Sequence, residues 1–191
     1  LRSTGPVLCV DIGSGTQDAL LARPGLECEN WPRFVLPSPA RMVAQRIREL
    51  TLLRRDLWLY GGNMGGGFSQ AVKEHLGAGF KVWCTPAASR GIHDREDVVR
   101  AMGVEFCSVC PEGCVPVFLS DYVPDFWAGL LRMSGLPQPH MVLAAAQDHG
   151  HHVEGNRLGR MLMWNRLLAE SADPASWIYS TPPPSLTRLQ P

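Results

Sequence analysis

The sequence lacks a charge imbalance, a long hydrophobic run and, almost entirely, lysine. Its 191 residues carry 18 basic and 18 acidic side chains, and only Lys73 and Lys81 are lysines. Zero net charge argues against a dedicated nucleic-acid or membrane-surface binder, so we expect neither partner. The longest apolar run is about six residues, whereas a membrane-spanning helix needs roughly 20. No charged, apolar leader precedes the first strand-like segment, so a cytoplasmic location is expected.

A complete cysteine motif is also missing. Cys107, Cys110 and Cys114 form C-x2-C-x3-C, with Cys28 as a distant further candidate. A closed structural zinc site needs four ligands, usually in two separated pairs. A radical S-adenosylmethionine cluster uses the reverse spacing, C-x3-C-x2-C. We therefore expect neither zinc nor an iron–sulfur cluster here, and interpret the three residues as free or redox-active thiols in a turn.

What the sequence does contain is an alternation of strand and helix patterns. Two strands at 6–13 and 18–23 flank a tight turn, and Ser38 followed by Pro39 predicts the start of a helix. The other expected elements are strands at 32–36, 56–60, 80–84 and 141–147 and helices at 38–53, 68–76, 93–103, 123–134 and 155–169. The initial order, β-β-β-α-β-α-β-α, is that of a ribonuclease-H-like unit. The expected fold is therefore α/β, with one mixed five-stranded sheet and helices on both faces.

Composition shifts divide the chain further. We predict a first ribonuclease-H-like lobe over 1–106, a Cys/Pro linker over 107–116, and the incomplete start of a similar second lobe over 117–172. The remainder, 173–191, is rich in proline and is expected to be coil.

The sharpest candidate site is the first turn, Asp11-Ile12-Gly13-Ser14-Gly15-Thr16-Gln17-Asp18. An acid that closes a strand can hold magnesium, directly or through water. Glycines in the following turn allow backbone N–H groups to approach phosphate oxygens, to which the Ser14 and Thr16 hydroxyls add donors. The alternative is a plain Gly/Ser hairpin turn.

A second candidate is the glycine run between the fourth strand and the next helix. We single out Gly61, Gly62, Asn63 and Gly65 as possible ligands of an anion, because a helix N-terminus presents free N–H groups. The run matches neither a Walker loop nor G-x-G-x-x-G. Glycines that allow close packing of strand and helix are the alternative.

The third candidate follows the strand at 141–147. Asp148 is placed to serve as a general base or metal-associated acid, and His149 and His151 are weaker metal candidates beside it. A solvated polar turn is the alternative.

Two resemblances follow from these residues. D-x-G-S-G-T-x-D between hairpin strands is similar to the first phosphate loop of the ATPase superfamily of actin, heat-shock chaperones and sugar kinases. DIGSGTQDALL, NWPRFVLPSPARMVAQRI, GGNMGGGFSQAVKEHLGAGFKV and AAAQDHGHH together resemble a bacterial and archaeal family of unknown function, labelled as a pyruvate formate-lyase activating enzyme. This second resemblance covers most of residues 6–170. Because the radical-cluster spacing is missing, we do not expect the labelled activity.

The superfamily resemblance implies a nucleotide-binding cleft between two lobes. Asp11 would organise magnesium, Gly13–Thr16 would hold the phosphates of ATP, and Asp148 would be the catalytic carboxylate facing them. No second D-x-G-T loop follows Asp148, so we expect the N-terminal portion of an ATPase or phosphotransferase. A non-catalytic ligand-binding or interaction module is the alternative. A metal-dependent hydrolase using Asp11, Asp18, Asp148 and the histidines is a further one.

Overall fold

The computed structural model describes residues 5–63, 67–146, 152 and 154–181, which form mixed α/β structure. The chain divides into two compact units, Leu1–Ala146 and Gln147–Pro191. The strands are β1 Val7–Ile12, β2 Thr16–Ala22, β3 Arg33–Pro37, β4 Leu57–Gly61, β5 Val82–Cys84, β6 Glu105–Phe106, β7 Val115–Leu119 and β8 Met141–Ala146. The helices are α1 Pro39–Leu52, α2 Ser69–Gly77, α3 Pro86–Ile92, α4 Glu96–Ala101, α5 Pro124–Met133 and α6 Asn156–Glu170.

Four strands in the order β3-β2-β1-β8 form what we call the hairpin sheet. β1 and β2 are antiparallel, with Val7 opposite Ala22 and Ile12 opposite Gln17, which confirms the predicted hairpin. β3 extends the sheet antiparallel to β2, whereas β8 pairs parallel to the other edge of β1. Residues from the start and the end of the first unit therefore lie side by side.

The other four strands, in the order β6-β5-β4-β7, form the parallel sheet. All three of its pairings are parallel, and β4 lies between β5 and β7. Parallel neighbours need crossover connections, which the helices between these strands provide. β7 spans the end of the predicted linker and the start of the predicted second lobe, and it pairs with a strand predicted for the first lobe.

Each sheet has its own core. Trp127 and Leu131 of α5 pack with the inward side chains of β1 and β2, such as Leu8 and Leu21. The parallel sheet packs against α1 to α4 through a larger cluster, in which Leu59 and Val82 lie with Ile47 and Val72.

The expected α/β class is confirmed, but the single five-stranded sheet is wrong. In the part of the chain that the structure describes, β4 and β5 pair with β7 and β6 and not with β1. An apolar strand pattern shows that a strand is buried without showing which parallel partner it takes. The helix predicted over 93–103 is also shorter than expected, because α4 begins at Glu96 and a separate α3 precedes it. Thr85 caps α3, and its hydroxyl accepts from the Ala88 N–H.

In the second unit, α6 confirms the helix expected over 155–169. Trp164 of this helix meets Trp177 edge to face, with ring centroids 5.4 Å apart. Trp177 closes a short 3-10 helix, Pro174–Trp177. Nowhere along the described residues does a helix combine the length and apolar character that crossing a bilayer requires.

Candidate functional site

The β1–β2 turn is built from three exposed residues. The Gly13 N–H donates to the Thr16 carbonyl at 2.9 Å and closes the turn. A Cβ on Gly13 would lie 3.1 Å from that same oxygen, which makes glycine the residue that fits closely there. Within the described part of the chain, the N–H groups of Ser14 and Gly15 have no hydrogen-bond partner. Two successive exposed amides are therefore available to an anion.

The N-terminus of α1 holds this turn in place. The buried Ser38 hydroxyl donates to the Ser14 carbonyl at 2.9 Å, and the Ser38 N–H donates to the Gly15 carbonyl at 3.1 Å. The same hydroxyl accepts from the Arg41 N–H at 3.3 Å, as an N-cap. The turn thus lies against the positive end of a 14-residue helix, which favours negative charge nearby.

Two carboxylates lie on one face of the hairpin. Asp11 and Asp18 are directly opposite each other, and both are exposed. The Thr16 hydroxyl donates to the Asp18 carboxylate at 3.2 Å. Opposed like charges on paired strands disfavour the pairing. A divalent cation would relieve this repulsion, and oxygen ligands of this kind suit magnesium.

The glycine run reaches the turn only at its last residue. Gly67 has φ +88°, and a Cβ there would lie 3.5 Å from both the Ser14 carbonyl and the Ala40 side chain. The turn, the end of the run and the start of α1 therefore meet at one place. Gly67 is not among the residues of this run that the sequence pattern indicated, so the sequence did not identify it.

Gly61 and Gly62 pack against β7. Gly61 has φ +83°, and a Cβ there would lie 2.3 Å from the Leu119 carbonyl. The Gly62 N–H donates to that same carbonyl at 2.9 Å. Asn63 is buried, with its amide oxygen 2.7 Å from where a Cβ on Gly91 would be. Contact of these three residues with an anion stays a prediction.

The third candidate site cannot be built from the described residues. Asp148, His149 and His151, like Gly65 of the glycine run, lie outside them. The structure does place the strand that precedes Asp148 in sequence: β8 pairs with β1, with Ala146 opposite Ile12. Nothing in the periodicity of MVLAAA identifies β1 as its neighbour.

The three clustered cysteines lie in the segment between β6 and β7. Burial raises the pKa of the Cys107 and Cys114 thiols, and the nearby Cys110 raises both further. Protonated thiols are poor nucleophiles and poor metal ligands. Across the residues that the structure describes, no three histidine, cysteine or acidic side chains converge as metal ligands would.

Ser38 is a residue of the candidate site whose contacts the sequence predicts only in part. The pattern Ser38-Pro39 predicts the helix cap, and the structure confirms it. Its second role, as the donor to the Ser14 carbonyl, joins residues 24 positions apart. No local pattern reports a contact of that kind.

The comparisons with known proteins found one family. Residues 64–191, about two thirds of the chain, match the family described as "Putative pyruvate format-lyase activating enzyme (DUF1786)". The matched residues include the elements from α2 to α6, while the β1–β2 turn precedes them. Neither the curated proteins nor the solved structures contain a match. The family resemblance seen in the sequence is thus confirmed, and the chain belongs to this family.

Proposed function

We propose that the β1–β2 turn binds the phosphate groups of a nucleotide together with magnesium, as the first phosphate loop of an actin-like ATPase or phosphotransferase. The observation that carries this proposal is the pair of exposed, unused amides at Ser14 and Gly15, fixed against the start of α1. Donors that are already oriented lose little entropy when they bind an anion.

Each part of the hairpin has a chemical role in this proposal. The amides of Ser14 and Gly15 donate to phosphate oxygens, and the α1 dipole adds to their attraction. Asp11 and Asp18 hold magnesium, directly or through water, and so offset the repulsion between carboxylates and phosphate. Asp148 keeps its predicted catalytic role, as a general base or a metal-associated acid.

The hairpin sheet supports the wider fold proposal. Three antiparallel strands, extended by a parallel strand beside β1, form a mixed sheet with the hairpin turn at one end. A mixed sheet that starts with such a hairpin is what the ribonuclease-H-like unit predicts. We propose that this sheet, and not one that includes β4 and β5, represents the unit.

The test is an NMR titration of the whole chain with Mg-ATP and with inorganic phosphate. We expect the amide signals of Gly13, Ser14 and Gly15 to shift, with an affinity on the order of millimolar, or about 4 kcal/mol. Asp11→Asn should abolish the dependence on magnesium, while Glu112→Gln, an exposed carboxylate in the cysteine segment, should leave it unchanged. Signals of the turn that stay in place at saturating Mg-ATP would exclude the proposal.

Turnover distinguishes the classes of function. Release of phosphate from Mg-ATP, lost in Asp11→Asn, would indicate an ATPase or phosphotransferase. Binding without turnover would indicate the non-catalytic ligand-binding module. A metal-dependent hydrolase would instead require metal without ATP.

A further inference from the structure

A pocket of about 330 Å³ lies beneath the hairpin, on the side away from the two carboxylates. Elements of both sheets line it: β2 and α5 from the hairpin sheet, and α1 and β7 from the parallel sheet. Small-molecule sites are typically concave, largely apolar and of roughly 300–1,000 Å³. The volume of this pocket therefore suits a ligand smaller than a typical drug.

The walls of the pocket are mainly apolar. Trp127 is buried and Val43 nearly so, which gives a preformed inner surface. Met42 and Phe118 also line the pocket yet are 38% and 51% exposed. Large apolar side chains that line a concavity and remain exposed gain free energy when a ligand covers them.

One charged group lines this otherwise neutral pocket. Among the described residues of the lining, Arg46 is the one that carries charge. Its Nη1 atom lies 3.3 Å from the Glu49 carboxylate, and both side chains are half-exposed. An exposed pair of this kind is weak, and a guanidinium has five N–H donors in all. Arg46 can therefore donate to a second carboxylate, from a ligand in the pocket.

Gln17 separates this pocket from the proposed phosphate site. Side chains alternate between the faces of a strand, so Gln17 points away from Thr16 and Asp18, and it is 2% exposed where they are exposed. Its Nε2 atom donates to the Pro37 carbonyl at 2.9 Å, which fixes the amide at the edge of the pocket. A ligand here would occupy a different face of the hairpin from an anion at the turn.

We infer that this pocket binds a small carboxylic acid with an apolar body, whose carboxylate pairs with Arg46. The apolar walls recognise the body of the ligand, and the guanidinium recognises the head. This site stands independently of the proposed nucleotide site, because none of the residues assigned to magnesium or phosphate lines it.

The experiment uses phenylacetate, its neutral isostere phenylacetamide, and acetate, each titrated into the whole chain. The readouts are the side-chain amide signals of Gln17 and the indole N–H signal of Trp127. We expect phenylacetate to shift both, phenylacetamide to bind about fivefold more weakly, and acetate to shift neither. The turn amide of Ser14 should report Mg-ATP separately, so failure of one site leaves the other testable.

Substitutions in α1 test the contribution of the Arg46 charge to binding. Arg46→Gln should weaken phenylacetate about fivefold and leave phenylacetamide unchanged, because only the carboxylate uses the guanidinium. Arg41→Gln, the same change at an exposed position of α1 outside the pocket, should leave both affinities unchanged. Glu49→Gln should tighten phenylacetate, since it removes the competing carboxylate.

Two results would overturn the inference. Equal affinities for phenylacetate and phenylacetamide in the unmodified chain would exclude recognition of a carboxylate. Unmoved Gln17 and Trp127 signals at saturating phenylacetate would exclude the pocket itself. A thermal unfolding curve of each variant, matching that of the unmodified chain, ensures that lost binding reflects the pocket and not the fold.

Discussion

Among the residues that the structure describes, 18 buried side chains form one cluster between the strands of the parallel sheet and four helices. In the described part of the hairpin sheet, 7 side chains are buried in this way, against one helix, and half-buried residues such as Phe34 and Leu36 surround them. The candidate chemistry lies on the sheet with the smaller core: the turn, the two carboxylates and Gln17 all belong to the hairpin. We therefore expect the parallel sheet to supply most of the stability, while the hairpin sheet presents the groups that we propose bind a ligand.

The largest expected effects come from replacing one buried leucine in each core with alanine. Leu59 and Leu131 are fully buried, in the parallel and the hairpin core respectively. We expect Leu59→Ala to lower the free energy of unfolding by about 4 kcal/mol and Leu131→Ala by about 2, within the range for such cavities. The smaller core is bordered by half-buried side chains, which can close a cavity more readily.

Urea denaturation measures both changes. Leu52→Ala, at a position 85% exposed, is the control and should change stability by less than about 0.5 kcal/mol. A larger loss in Leu131→Ala than in Leu59→Ala would reverse the assignment of stability to the parallel sheet.

A second prediction concerns the packing of β4 on β7. Gly61→Ala places a Cβ 2.3 Å from the Leu119 carbonyl at φ +83°. We expect a loss of about 3 kcal/mol, since overpacking adds to the cost of the left-handed conformation. Gly79→Ala has a similar φ of +87° but meets no atom within 4 Å. Its loss should be about 1 kcal/mol, the conformational part alone.

Thermal or urea unfolding of the two alanine variants gives the difference directly. Equal losses would mean that the contact with Leu119 is unimportant. Gly61 would then be free for the anion-binding role that the sequence suggests.

The third prediction links the helix cap to the turn. Ser38 and Thr85 are equivalent N-caps, each accepting from the N–H three residues on. Replacing either with alanine should cost about 1 kcal/mol. Ser38 alone also holds the Ser14 carbonyl, so only Ser38→Ala should accelerate hydrogen exchange of the Gly13 amide. Unchanged exchange at Gly13 would show that the turn holds its shape without α1.

The last prediction is a dependence of stability on pH that arises in the core of the parallel sheet. His75 is buried with its Nδ1 atom 2.7 Å from the Thr51 hydroxyl, and burial lowers its pKa below the ordinary 6.5. The unfolded chain therefore binds a proton more readily than the folded chain. Stability from this residue is complete above about pH 6.5 and falls as pH decreases, by at most about 1.4 kcal/mol per pH unit.

Unfolding curves between pH 5 and pH 7.5, at roughly half-unit steps around the histidine range, check this effect. His75→Phe should remove part of the pH dependence, and Leu52→Ala, which lies at an exposed position and changes no titratable group, should not. Identical pH profiles for the three proteins would contradict the effect.

Local features of the fold were predictable from the sequence, and long-range ones were not. The hairpin follows from alternating side chains around Gly13–Gly15, and the cap follows from Ser38 before Pro39, because both patterns span a few residues. The pairing of β8 with β1 and the approach of Gly67 to Ser14 depend on contacts between distant segments. Gly61 and Gly62 of the glycine run pack against β7, whereas Gly67 lies next to Ser14. These contacts also join segments that are distant in sequence.

The position of β8 also sets an order of folding. The pairing of β4 with β5 joins residues about 25 positions apart, such as Leu57 and Val82. The pairing of β1 with β8 joins residues much further apart in sequence, such as Val7 and Met141. Closing a longer loop costs more entropy before its contacts form. During synthesis, the parallel sheet can therefore assemble while one edge of β1 still has unpaired backbone groups. Until residues 141–146 emerge, that edge of β1 is open to pairing with another molecule.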